Sequence, residues 1–233
     1  MRQSPELFVD ARRLPATTVD LPPIAPSAPI VFIADDDPSL REALGAVVRS
    51  MGWQAKELRS AMTLLSEPEH IVPTCLVLDV SLARSCSFQL QERLAVERAE
   101  TPVVCVTGLA DVSMTVRAMK AGAIDVLTKP VRPDLLLDAI RHALARSDAV
   151  LRETLEARRL RERHASLSLR ERQVMALVAS GLLNKQVGGE LGISEITVKA
   201  HRGRVMRKMN VRSFAALVKI AGKLEIAAPG DAH

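Results

Sequence analysis

Five residues suited to phosphate and metal chemistry close short apolar runs in this chain. Ile30-Val31-Phe32-Ile33-Ala34 leads into Asp35-Asp36, and Cys75-Leu76-Val77-Leu78 leads into Asp79. Val103-Val104-Cys105-Val106 leads into Thr107, and Val126-Leu127-Thr128 into Lys129-Pro130. Crowded carboxylates repel one another, and a hard cation such as Mg²⁺ relieves that repulsion through oxygen ligands. An aspartate can also act as a nucleophile toward phosphorus. The phosphoryl oxygens then need a cation and hydrogen-bond donors, which Lys129 and Thr107 supply. A single Asp would mean little, because strand ends favour polar residues. Five such residues in order mean more, since the strand carboxyl ends of an open parallel sheet share one ligand-binding edge.

The elements that must position them follow from hydrophobic periodicity. Strand-like runs at about 30–34, 53–57, 75–79, 103–107 and 125–128 alternate with helical patterns. Ser39 can cap a helix through Met51 with Leu40, Ala43, Leu44, Val47 and Val48 on one face. A short second helix near Ala61–Leu65, a third over Phe88–Val96 and a fourth over Met114–Ala121 complete the alternation. Such βαβ units predict a doubly wound, five-stranded parallel sheet covered by helices on both faces, over residues 30–146. Before it, residues 1–29 carry six prolines and little periodicity, which predicts a disordered leader. After it, Asp134 to about Arg163 lacks Pro and Gly, and Leu137, Ile140, Leu144, Leu151 and Leu155 recur at helical spacing. The part over 147–165 reads as a helical linker, its seam interrupted at Ser147 and Arg158.

Residues 166–226 are helical throughout, and 227–233 form a tail. Ser168 and Glu171 make a capping box, and Gly181 stops that helix. Asn184–Leu191 is short, Gly192 turns the chain, Ser194 caps a helix through about Met209, and Ser213 caps the last. Helix, glycine turn and basic helix is the spacing of a helix-turn-helix in a small all-α, four-helix domain. Lys199 to Arg212 holds six Lys/Arg, one His and no acid. Val198, Val205 and Met209 fall on the inward side, so Lys199 to Arg204 faces out. Lys and Arg there neutralise phosphates, and the small Ala200 and Gly203 allow close approach to base edges of double-stranded DNA.

The charge balance agrees. Residues 147–233 carry 16 Lys/Arg against 9 Asp/Glu, whereas 30–146 carry 13 against 15. A basic C-terminal third faces a polyanion. No Tyr occurs and aromatics are 2%, which disfavours RNA recognition by base stacking. No run approaches the length of a membrane span, and Arg12 and Arg13 interrupt the N-terminus, so a cytoplasmic protein is expected. The three cysteines lack metal-site spacing and read as reduced thiols.

Leu169-Arg170-Glu171-Arg172-Gln173-Val174, Asn184-Lys185-Gln186-Val187, Leu191-Gly192-Ile193-Ser194 and Thr197-Val198-Lys199-Ala200-His201 resemble the LuxR-type DNA-binding domain. Asp35-Asp36-Asp37-Pro38-Ser39, Pro102 to Gly108, Val116 to Ala123 and Lys129-Pro130 resemble the receiver domain of response regulators. Together they make the chain similar to NarL/FixJ-family two-component regulators, nearest the FixJ type. The resemblance implies a cognate histidine kinase, with Asp79 as phosphoacceptor. It also implies Mg²⁺ on Asp35, Asp36, Asp79 and the Ser81 carbonyl, and Thr107 and Lys129 on the phosphoryl group. The Lys129-Pro130 bond is expected to be cis. The DNA-contacting set it implies is Lys185, Ser194, Thr197, Lys199, Ala200, Arg202, Gly203, Arg204, Arg207 and Lys208, in a homodimer formed on phosphorylation or on DNA.

Some residues depart from the pattern. Ala83, Arg84 and Ser87 replace the usual Pro-Gly turn and later Gly, which predicts a reshaped loop from which Arg84 and Cys86 can intrude on the pocket. Val126 stands where the family has an aromatic that reports threonine movement. Gly188-Gly189 replace helix formers, each at a cost of roughly 0.8–1 kcal/mol relative to Ala, which predicts a soft helix. The alternative reading is a pseudo-receiver transcription factor controlled by protein contact or redox state. A haloacid-dehalogenase-like phosphatase is disfavoured, because its second Asp would fall at Ser81.

Overall fold

The computed structural model describes residues 28–80, 86–108 and 112–226. The expected leader and tail fall almost wholly outside these residues, as do Ser81, Ala83 and Arg84. Five strands, β1 (Ile30–Ala34), β2 (Gln54–Leu58), β3 (Thr74–Asp79), β4 (Val103–Thr107) and β5 (Ala123–Thr128), pair in parallel in the order β2-β1-β3-β4-β5. This is the flavodoxin-like order, whose direction of winding reverses between β1 and β3.

Alternation along the strands sends side chains to two cores. Phe32, Leu76, Leu78 and Cys105 point to the face covered by α2 (Cys86–Glu97) and α3 (Val112–Lys120), where Leu90, Leu94 and Ala118 meet them. Val31, Ile33, Val77, Val104 and Val106 point to the face covered by α1 (Pro38–Ser50) and α4 (Pro133–Ala165). The expected short second helix is a 3-10 stretch, Ala61–Ser66, capped by Ser60. The cap of α1 is corrected from Ser39 to Asp37, whose carboxylate accepts from the Ser39 and Leu40 N–H groups. Pro38 fixes the reason, since its φ suits the first helical position and its missing N–H costs nothing there.

Helix α4 runs unbroken for 33 residues and leads into α5 (Leu169–Ala179), α6 (Asn184–Leu191), α7 (Glu195–Lys208) and α8 (Phe214–Lys223). The capping box of α5 is formed, with Ser168 N–H on Glu171 Oε2 at 2.9 Å and Glu171 N–H on Ser168 Oγ at 3.3 Å. Val174, Val178, Val187 and Val198 make one apolar cluster, and Met175, Val205, Met209 and Leu217 another. Gly192 adopts φ 65°, which allows the tight turn between α6 and α7. The expected softness of α6 needs revision at Gly188. A Cβ there would lie 2.7 Å from the Ile193 carbonyl oxygen, so the turn can fold back onto α6 only over a glycine. Gly189 has open space and carries only the propensity cost.

Candidate functional site

The ends of β1 and β3 flank the point where the winding reverses, so Asp35, Asp36 and Asp79 meet there. Their carboxylate oxygens lie within 4.8 Å of one another. Asp35 and Asp79 are 2% and 1% exposed, while Asp36 is open to solvent. Lys129, carried just past β5, reaches Asp35 Oδ2 at 2.9 Å and Asp79 Oδ2 at 2.7 Å. Burial alone would pull its ammonium down. The hydrogen bonds it donates to Asp35 and Asp79 outweigh that and hold its pKa above the ordinary lysine value. One ammonium against three carboxylates leaves a negative surplus, which an oxygen-seeking divalent cation would neutralise.

Residues of β4, β5, α3 and α1 border the pocket. Thr107 ends β4, its carbonyl accepts the Lys129 N–H at 2.8 Å, and its hydroxyl donates to Met114 Sδ on α3 at 3.4 Å. Val126 and Met114 both pack on the core beneath α3. Arg41 on α1 donates to the Asp35 carbonyl at 2.5 Å and holds the loop after β1. Sequence patterns point to neither Met114 nor Arg41 at this site, because a helix residue reaches the pocket only through tertiary packing. The Lys129-Pro130 bond is cis. Ser81 lies outside the described residues. Cys75 and Cys105 are buried, which pushes both thiols up, Cys105 to about 12, so neither is an available thiolate.

The second site lies on α7. Val198, Val205 and Met209 are wholly buried, and Lys199, Ala200, Gly203, Arg204 and Arg207 line the exposed side. Ser194 caps the helix by accepting from Thr197 N–H at 3.2 Å, and the two hydroxyls are 2.8 Å apart. Lys185 is exposed on α6, and Lys199 pairs with Glu195 at 3.0 Å. Two further expected contact residues are engaged by side chains of other helices. Arg202 stacks over Phe214 with its guanidinium 4.9 Å from the ring centre and reaches Asn184 Oδ1 at 3.4 Å. Lys208 bonds Glu171 Oε2 at 2.6 Å and the Ser166 carbonyl at 3.1 Å. Its ammonium therefore serves the capping box of α5.

The response regulator receiver domain model matches residues 31–141, and the model for bacterial regulatory proteins of the luxR family matches residues 165–221. The chain is a response regulator. It belongs with the NarL/FixJ type, combining a receiver with a LuxR-type DNA-binding domain. Nodulation protein W of Bradyrhizobium diazoefficiens is 44% identical over 203 residues, covering 85% of this regulator and 88% of that protein. Response regulator protein TmoT of Ectopseudomonas mendocina is 40% identical over 196 residues, covering 84% and 89%. The solved structure of response regulator StyR superposes with a TM-score of 0.72 at 42% identity, covering 84% of this regulator and 99% of that chain. Such proteins are transcriptional regulators rather than enzymes, they bind DNA, and a receiver implies a histidine kinase partner. Among the described residues, no helix is long and apolar enough to cross a membrane.

Proposed function

We propose that this cytoplasmic regulator is switched by phosphorylation of Asp79. The P–N bond of a kinase phosphohistidine breaks, a P–O bond to an Asp79 carboxylate oxygen forms, and the proton stays with the departing imidazole. One observation carries the reading: Asp79 is buried beside Asp35 and Asp36 with the Lys129 ammonium 2.7 Å from its carboxylate. Mg²⁺, held by Asp35, Asp36, Asp79 and the Ser81 carbonyl, would supply charge neutralisation for the phosphoryl oxygens. Lys129 turns from Asp35 toward those oxygens, and the Thr107 hydroxyl joins it.

Drawing Thr107 to the phosphoryl group removes its hydroxyl from Met114, which gives α3 a second position. The outer face of α3 carries exposed Val112, Val116 and Met119 at one-face spacing, and this surface pairs two receivers. The paired chains present two α7 helices to two DNA half-sites. Incubation with acetyl phosphate and Mg²⁺ followed by intact-mass spectrometry tests the switch. A phosphate adduct is expected on the wild type and absent from Asp79→Asn, with tighter operator binding in the wild type alone. No adduct, together with equal operator binding by both proteins, would establish the pseudo-receiver alternative instead.

A further inference from the structure

We propose that Ile196 is a specificity-determining residue that reads the 5-methyl group of a thymine in the major groove. Ile196 is the second residue of α7 and is 79% exposed. At about 100° per residue it stands roughly 200° around the helix from Val198 and 180° from Val205, both wholly buried. It therefore faces directly away from the protein core. Gly203 and Arg207 share its meridian, and Ala200 lies within about 40° of it. All three are exposed.

This stripe is otherwise cationic or very small. Lys199, Arg204 and Arg207 suit phosphates, and Ala200 and Gly203 let the helix axis sit deep. Ile196 is the one large apolar side chain of α7 among its exposed residues. The first turn of such a helix is the part that meets base edges. Nothing in the domain's two apolar clusters includes Ile196, so its cover comes from outside. In the major groove only thymine offers an apolar group at the base edge. A lysine or serine at this position would bond phosphate or any base, whereas isoleucine gains only where a methyl group meets it.

The inference rests on the DNA-binding role of α7, and the experiment separates the two. Full-length protein first selects duplexes from a randomised pool at fixed salt. Each thymine of the selected site is then replaced singly by deoxyuridine, which keeps the pairing and removes only the methyl. Binding is followed by fluorescence anisotropy for wild type, Ile196→Val and Ile196→Ser. One thymine in each half-site is expected to lose roughly four-fold in affinity on demethylation with the wild type. Ile196→Val should keep most of that loss, and Ile196→Ser should bind thymine and deoxyuridine duplexes equally. A selected site at which no replacement distinguishes wild type from Ile196→Ser overturns the inference alone. Failure to select any duplex overturns the DNA-binding role and the inference with it.

Discussion

Adjacent glycines in α6 should respond to the same substitution with opposite signs. Replacing Gly189 by Ala adds a methyl group to open space, so the helix gains up to about 1 kcal/mol of propensity. Gly188→Ala gains the same propensity but places Cβ 2.7 Å from the Ile193 carbonyl oxygen. That oxygen is backbone in the turn before α7 and cannot swing aside. Overpacking costs about 1–3 kcal/mol. The bond from Ile193 N–H to the Gly188 carbonyl, now 3.0 Å, would loosen and cost about 0.5–1.5 more. Set against the propensity gain, the net loss is about 0.5–3.5 kcal/mol. For a domain of this size each kcal/mol shifts Tm by about 4–8 °C. Far-UV circular dichroism should therefore show the helical C-terminal transition moving up for Gly189→Ala and down for Gly188→Ala. The single tryptophan, Trp53, packs on the receiver core, so its fluorescence transition should stay in place for both. Gly188→Ala should also weaken DNA binding, because relieving the contact moves α7 relative to α6. Stabilisation by Gly188→Ala comparable to that by Gly189→Ala would refute the close-approach argument.

Two further outcomes follow from named contacts. The Lys208 hydrogen bond and the Ser168 backbone N–H hold the Glu171 carboxyl down to about 2. Its stabilisation is therefore complete above the unfolded carboxylate pKa of about 4.3 and is lost as pH falls toward 2, a loss that Glu171→Gln should blunt in acid melts while costing about 1.5–3 kcal/mol at neutral pH. Ser147 is wholly buried, accepts the Thr74 N–H at 2.9 Å and donates to the Glu100 carbonyl. Ser147→Ala leaves that N–H unpaired and should lower receiver stability by about 1–3 kcal/mol in urea melts followed by Trp53 fluorescence.

The receiver pocket was legible because its residues sit at strand ends, where local sequence and sheet topology coincide. Asp35, Asp79, Thr107 and Lys129 each close or follow an apolar run, and parallel pairing alone brings them together. The helices of the C-terminal domain were equally legible from Ser168, Gly192, Ser194 and Ser213, because caps are local chemistry. What needed the structure was partnership across elements. Arg202 and Lys208 look like free cations beside Arg204 and Arg207, yet Phe214 and Glu171 engage them from other helices. Gly188 looked like a loss of propensity, and only the path of the turn reveals that a side chain cannot fit there. Asp37 outranked Ser39 as a cap because Pro38 starts the helix earlier than periodicity indicates.

The break in the apolar seam at Ser147 has a mechanical meaning. The side chain that interrupts the seam fastens α4 to the starts of β3 and β4 through Thr74 and Glu100. Less than three helical turns further on, Glu156 pairs with Lys223 of α8 at 2.9 Å. Leu160 is buried, and Arg163 reaches the Met209 carbonyl at the end of α7. No Pro or Gly lies between these attachments. A helix of that composition behaves as a rod rather than a tether. A shift of α4 against the sheet would therefore carry to α8 and to the end of α7. Among the described residues, this rod joins the sheet that carries the pocket to the C-terminal domain, while the Thr107–Met114 contact joins the pocket to α3.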